Sequence, residues 1–200
     1  MNQAVDEFRE LPVGSKGRRS SGWWGMVALV ASEAAVFGYL LFSYYYLMAH
    51  SLHVWPLGGP PTLRLSAPGT LVLLAGSFVM YWGERGIKQG ANGRLIAGLA
   101  ISIVLAALFI LLELWEWHDK GATPSTDVYS SSYFIITGFH LAHLAVGMVM
   151  LAVALVWACL GYFGPRRHSA VTIAGLYWHF VTVVWLAVFF TFFIVPRLSP

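Results

Sequence analysis

The chain has 200 residues, of which 58% are hydrophobic and 10% are charged. Soluble domains are about 45–50% apolar and about 25% charged, so this composition indicates a membrane protein and excludes an ordinary soluble domain. The net charge of +3 is too small to predict a nucleic-acid-binding protein. The single cysteine, Cys159, excludes an internal disulfide and a CxxC metal or redox site.

A polar segment precedes a series of long apolar runs. Residues 1–21 are mixed in charge and rich in Gly and Ser, which predicts a flexible cytoplasmic tail. About 20 apolar residues cross a bilayer as a helix, so we predict an all-α fold in residues 22–200, a polytopic bundle of five transmembrane helices. The predicted spans are about residues 22–49, 68–86, 94–117, 129–163 and 171–195.

The distribution of Lys and Arg predicts the orientation of this bundle. Nine of the twelve basic residues lie in the tail and in the turns after the second and fourth spans: Arg9, Lys16, Arg18, Arg19, Arg85, Lys88, Arg94, Arg166 and Arg167. Arg64, Lys120 and Arg197 lie on the other side. Because basic residues concentrate in cytoplasmic loops, we expect the N-terminus in the cytoplasm and the C-terminus outside.

Glu33 is the one charged residue in the first apolar run. Ten residues at about 1.5 Å each separate it from Trp23, which places it roughly 15 Å deep, near the midplane. An ionised carboxylate at that depth costs about 2.5–3.5 kcal/mol on insertion scales, so we expect a largely neutral group that faces protein or water. The alternative is a carboxyl that a neighbouring helix satisfies purely for packing.

The embedded histidines and the acids at the end of the third span are further candidates. His140 and His143 are three residues apart and project from nearly one helix face. A metal needs three or more converging ligands and His179 adds only one, so we predict no metal site and favour hydrogen bonds between helices. Glu113 and Glu116 are either interfacial carboxylates that reach water or partners of His140.

The residues alone therefore predict a non-catalytic helical membrane protein with an embedded polar network. A small transporter or channel is one alternative, although it would need a polar face repeated through several helices. A membrane-bound metalloenzyme is another, and it would need a bound metal.

Five motifs, in their order and spacing, resemble subunit III of the haem-copper cytochrome oxidases. The resemblance extends from about residue 22 to the C-terminus and fits the five-helix form of that family. The motifs are WGM at 24–26 with Ser32, Glu33 and Phe37; Glu116 followed by an aromatic residue; TGFH at 137–140 with His143 and Gly147; YWHFV at 177–181; and Val184 with Trp185.

This resemblance implies an accessory subunit that has no haem or copper of its own. Such a subunit packs against the catalytic subunit I, in a complex that also contains subunit II and a small subunit IV. The haem and copper of the complex belong to the partner subunits. It binds phospholipid in a cleft between its helices and helps to sustain proton uptake and turnover. The expected location is the bacterial plasma membrane, with no nucleic-acid partner.

The family's residues carry over to matching positions. Glu33 matches the buried carboxyl that reacts with hydrophobic carbodiimides, and Trp24, beside Trp23, matches a Trp at the entrance of the lipid cleft. The helix-packing signatures match His140, His143, Tyr177, Trp178 and His179.

Two positions depart from the family pattern. Thr182 stands where the family usually has Asp, and Leu141 stands where it usually has Gly. The missing Asp removes an embedded acid, and Thr182 joins the predicted polar network in its place. These departures keep open a second assignment, a subunit III-like protein associated with nitric oxide reductase.

Overall fold

The computed structural model describes residues 21–51, 55–56 and 61–198, and it is helical as predicted. The predicted N-terminal tail lies almost entirely outside these residues. Five long helices are followed by a π-helical turn and a short sixth helix. Their bounds are α1 Ser21–Ala49, α2 Ser66–Lys88, α3 Asn92–Asp119, α4 Val128–Cys159, α5 Ser169–Phe189, the π-helical turn Phe190–Ile194 and α6 Val195–Leu198.

Two helices end a few residues away from the approximate ends of the predicted spans. The fourth helix ends at Cys159 and not at 163, because the chain turns at Gly161, whose φ of +75° suits a residue without a side chain. The last helix does not stop at Pro196 but continues through α6 to Leu198. The π-helical turn directly before Pro196 is the kind of local rearrangement that accommodates a residue with no backbone N–H.

Four segments of the described residues are long and apolar enough to cross a membrane: α1, α3, α4 and the continuous unit Ser169–Leu198. The chain is therefore a membrane protein. The helix α2 is not among these four, because Ser66–Lys88 contains glycines and the charged residues Glu84, Arg85 and Lys88. The count of five spans and the orientation of the termini stay predictions.

Helices α2 and α3 form a closely packed antiparallel hairpin. A Cβ atom added at Gly98 would lie 2.8 Å from Cα of Gly83, so the two backbones touch where glycines face each other. Further along, the Ser102 hydroxyl donates a hydrogen bond to the Gly76 carbonyl at 3.0 Å. The glycines at 69, 76 and 83 of α2 thus face α3, where Gly98 and Ser102 are among their contacts.

The core lies between α2, α3, α4 and α5, and α1 lies at its edge. Trp178 and Trp185 on α5 are almost fully buried. Over its 29 residues, α1 buries only Phe37 and Tyr44. Asp127 caps α4 by accepting a hydrogen bond from the Ser130 N–H at 2.6 Å, which fixes the start of the helix that faces α1.

Candidate functional site

Glu33 pairs with His143 across the contact between α1 and α4. Oε2 of Glu33 lies 2.9 Å from Nε2 of His143, and the two side chains are 28% and 16% exposed. Nδ1 of His143 lies 2.7 Å from the Phe139 carbonyl. Since a carbonyl only accepts, Nδ1 carries a proton. The Glu33–His143 contact therefore holds one proton, on the carboxyl or on the imidazole, and the pair has no net charge in either form.

The tryptophans predicted to mark a lipid cleft lie apart from this pair. The rings of Trp23 and Trp24 meet edge to face with centroids 4.8 Å apart, and the Trp24 side chain is 61% exposed. About nine helical residues, or roughly 14 Å, separate them from Glu33 along α1. The structure thus places Trp23, Trp24 and Glu33 on one helix but does not bring their side chains together.

His140 does not make the predicted hydrogen bond. It is completely buried, and neither ring nitrogen has a hydrogen-bond partner among the described residues. Its ring packs instead between Phe109, at a centroid distance of 5.9 Å, and Trp185, at 4.9 Å. Contact of Glu113 or Glu116 with His140, one of the two alternatives for these acids, is not found in the described part of the chain. His140 therefore acts as a packed aromatic ring.

His179 belongs to a row of hydrogen bonds between α2 and α5. Its Nδ1 lies 2.6 Å from the Ser77 hydroxyl. Two more such contacts lie on either side, one from the Trp185 indole N–H to the Thr70 hydroxyl and one from the Thr172 hydroxyl to Glu84, both at 2.9 Å. The three α2 residues are seven apart, so they lie on one face of the helix. We call these contacts Thr70–Trp185, Ser77–His179 and Glu84–Thr172 the polar ladder.

Thr182 takes no part in the polar ladder. It is buried, and its hydroxyl donates to the Trp178 carbonyl of its own helix at 3.1 Å. Its polar group is therefore satisfied without a partner helix. Leu141, at the other departure from the family pattern, packs against the core.

Glu113 and Glu116 lie at the end of α3, in a buried group with Lys120 and Tyr133. The Tyr133 hydroxyl donates to Glu113 at 3.0 Å. The Lys120 ammonium lies 3.2 Å from the centroid of the Tyr133 ring. Burial of the Lys120 side chain lowers its pKa to about 8, and the nearby Glu116 and Glu113 oppose that change. We call Glu113, Glu116, Lys120 and Tyr133 the α3–α4 cluster.

The predicted polar network is therefore divided among the Glu33–His143 contact, the polar ladder and the α3–α4 cluster. Sequence reasoning missed several of the partner residues. Lys120 was considered for topology only, although it follows Glu116 by four residues, the spacing of a helical charge pair. Thr70, Ser77 and Glu84 were missed as well, although each directly follows one of the heptad-spaced glycines at 69, 76 and 83. No comparable pattern linked Glu33 to His143. Among the described residues there is no group of three or more side chains placed to hold a metal ion.

The fold and these sites define a class, that of polytopic helical membrane proteins with buried polar contacts between helices. Sequence comparison makes the assignment more specific, since the family model of cytochrome c oxidase subunit III matches residues 17–196.

Individual relatives agree with this family. Cytochrome c oxidase subunit 3 of Synechocystis sp. is 29% identical over 180 residues, which cover 88% of this chain and 76% of the relative. The protein of the same name from Pan troglodytes is 31% identical over 93% of this chain and 72% of its own length. That from Hippopotamus amphibius is 33% identical over the same shares. The chain belongs to the cytochrome c oxidase subunit III family.

Proposed function

We propose that the chain is a non-catalytic accessory subunit of a haem-copper terminal oxidase, which packs directly on the catalytic subunit I. Its family membership supports this role, as do the apolar side chains that α1 leaves uncovered, such as Tyr39 and Phe42. The haem and copper belong to the partner subunits, and subunit II and a small subunit IV complete the complex. Its work is to bind phospholipid and to sustain proton uptake and turnover.

Copurification tests the assignment to an oxidase. The chain is isolated from native membranes under mild conditions, and the redox difference spectrum of the preparation is recorded. Haem bands that copurify with the chain and disappear when it is separated from its partners are the expected result. Haem absorbance or oxygen consumption by the isolated chain would contradict the accessory role.

The proposed topology has five spans, with the N-terminus in the cytoplasm, in a bacterial plasma membrane. The 23 residues of α2 rise about 34 Å at roughly 1.5 Å each, enough for a bilayer core. Its antiparallel packing on α3 supports α2 as the second span. A reporter that is active only outside the cytoplasm is fused at residue 1 or at residue 200. We expect activity only at residue 200, and the reverse pattern would overturn the topology.

The Glu33–His143 contact is the single observation that carries the lipid-binding role. It is a partly exposed polar pair, in which Glu33 belongs to a helix whose remaining surface is almost entirely apolar. A polar pair in such a setting is costly unless it meets another polar group, and the phosphate or ester of a phospholipid supplies one. Trp23 and Trp24, nearer the N-terminal end of α1, contribute aromatic surface for the same lipid.

Two substitutions at Glu33 separate a structural role from a proton-handling role. Glu33→Gln keeps the shape and the hydrogen bond to His143, whereas Glu33→Ala removes both. We expect the Gln variant to assemble and turn over normally, and the Ala variant to lose phospholipid or subunit contact. Bound phospholipid is quantified by mass spectrometry of the purified complex.

Ser32→Ala is the matched control, because the Ser32 hydroxyl donates only to the Leu29 carbonyl within α1. This variant should retain its lipid. A Glu33→Gln variant that assembles fully but takes up protons slowly would show that Glu33 handles protons.

A further inference from the structure

Two carboxyls and one ammonium are buried together in the α3–α4 cluster. Glu113 and Glu116 are 2% and 7% exposed. The two ion pairs found among the described residues, Glu84 with Lys88 and Glu33 with His143, involve none of these three groups. Burial without an ion-pair partner is costly for a charged side chain, so the charge of the cluster needs an explanation.

The hydrogen bonds of the cluster leave specific atoms unused. Glu113 accepts from the Tyr133 hydroxyl. Oε2 of Glu116 and Nζ of Lys120 are buried and have no hydrogen-bond partner among the described residues. The Lys120 ammonium is held by ring faces, with Tyr133 at 3.2 Å, Phe193 at 5.8 Å and Tyr129 at 5.9 Å. The aromatic rings thus stabilise the cation, while one oxygen of Glu116 is left as an acceptor without a donor.

A cavity connects the cluster with the medium. It has a volume of about 560 Å³, and both Glu116 and Lys120 line it. Its other charged lining residues are Arg64, Asp119 and Asp127. Asp119 and Arg64 are exposed, and Asp127 is occupied as the cap of α4.

The charges around the cluster cancel. Arg197, from α6, donates to the carbonyls of Phe193 and Pro61 beside this cavity. The two cations Arg64 and Arg197 therefore balance the two acids Asp119 and Asp127. The phenols that face the cluster from α1 and α4, those of Tyr44, Tyr129 and Tyr133, are uncharged at neutral pH.

The charges of the buried groups Glu113, Glu116 and Lys120 do not cancel. If both carboxyls of the cluster are ionised, Lys120 neutralises one and a charge of −1 remains in a desolvated site. One added proton removes that charge and gives the carboxyl pair a donor.

We propose that Glu113 and Glu116 form a proton-binding site in which the two carboxyls share one exchangeable proton, with Lys120 as the fixed counter-cation. The proton belongs to the pair and not to one residue, as in other coupled carboxyls. A proton fits this site better than a metal ion does, because the neighbouring ammonium repels a divalent cation. The cavity is the route by which the proton exchanges with the medium. The site is separate from the Glu33–His143 pair and does not depend on the lipid-binding role.

Infrared spectroscopy of the assembled complex counts the protonated carboxyls that the site contributes. The wild type should contribute one. Glu113→Gln and Glu116→Gln should each contribute none, because the remaining carboxylate is balanced by Lys120. Lys120→Met should contribute two, because both carboxyls then need a proton. The count is read from variant-minus-wild-type difference spectra in the carboxylic C=O region at pH 7.

Glu84→Gln is the matched control. Glu84 is 8% exposed but is ion-paired with Lys88 at 2.8 Å, so removing it should change no protonated-carboxyl band. Transfer of the complex to D₂O should shift the wild-type band promptly, because the cavity reaches Glu116.

Three results would overturn the proposal. They are a Glu116→Gln spectrum without loss of a protonated carboxyl, a Lys120→Met spectrum without a gain, and a band that does not exchange in D₂O. Since gain and loss are opposite signals from variants of the same cluster, general misfolding cannot produce both. Far-UV circular dichroism of each variant confirms that the helices are intact.

Discussion

The helices α1 and α2 differ in a way that hydrophobicity alone would predict wrongly. Of the 29 residues of α1, which is apolar enough to be a clear membrane span, only two are buried in the bundle. The less apolar α2 buries ten of its 23 residues, among them Ser66, Thr70 and Glu84. The more apolar helix is the one left at the edge.

This difference in burial between α1 and α2 is expected for helices that are surrounded by lipid and not by water. Lipid tails are as apolar as a leucine side chain, so an apolar helix gains little by leaving lipid for protein. Two features favour the packing of a helix against other helices in a membrane. They are small residues, which let backbones approach closely, and polar groups, which need hydrogen-bond partners. In this chain α2 has both features, and α1 has one polar pair, Glu33 with His143.

The largest expected effect tests the close contact of α2 with α3. Gly98→Ala places a Cβ atom within 2.8 Å of the Gly83 backbone, and such overpacking destabilises a protein by about 1–3 kcal/mol. Unfolding of the detergent-solubilised chain measures the change. Gly93→Ala on the same helix is the control, because a Cβ atom there meets nothing within 4 Å. Equal effects of the two substitutions would show that the backbone contact is unimportant.

An intermediate effect is expected at the polar ladder. Thr70→Val keeps the shape of the side chain but leaves the fully buried Trp185 N–H without its acceptor. Hydrogen bonds between membrane helices contribute about 0.6 kcal/mol on average and up to about 1.7 kcal/mol, and we expect a loss of unfolding free energy in that range. The comparison is Ser32→Ala on α1, with an exposed hydroxyl and a predicted loss near zero. A Thr70→Val variant as stable as the wild type would show that the ladder contributes no stability.

The smallest effect is expected on the outer face of α1. Tyr39 is 70% exposed, and Tyr39→Leu should change the unfolding free energy of the chain by less than about 0.5 kcal/mol. The same variant is then compared in the assembled oxidase. A defect that appears only in the complex places a partner subunit on this face, whereas a large loss of stability in the isolated chain contradicts the edge position of α1.

The sequence was sufficient to predict the helices, because each one coincides with an apolar run bounded by Gly, Pro or charged residues. It was insufficient at two ends. The apolar run of α4 continues past Gly161, so the hydrophobic pattern does not indicate the turn there. Pro196 usually ends a helix, but the π-helical turn at Phe190–Ile194 accommodates it. Both depend on local backbone geometry that the hydrophobic pattern does not contain.

The candidate sites were predicted only in part, because a polar residue in an apolar run indicates that a partner exists but not which one. Glu33 and His143 are 110 residues apart, and only the packing of α1 on α4 pairs them. His140 was expected to make a similar contact, but the rings of Phe109 and Trp185 occupy its surroundings. Lys120 lies in a polar loop by sequence, yet the aromatic residues of α4 enclose its ammonium.

The three contacts of the polar ladder differ in chemistry, and this fixes the register of α2 along α5. The Trp185 indole only donates a hydrogen bond and the Glu84 carboxylate only accepts one, whereas Ser77 and His179 can each donate or accept. A slide of α2 by two turns, about 10.5 Å, would break one end of the ladder in either direction. It would place Leu63 opposite Trp185 and leave the indole N–H without an acceptor, or it would place Ala91 opposite the Thr172 hydroxyl. A helix whose hydrophobicity alone defines its position poorly is thus held in one register against α5, with Glu84, Arg85 and Lys88 together near its C-terminal end.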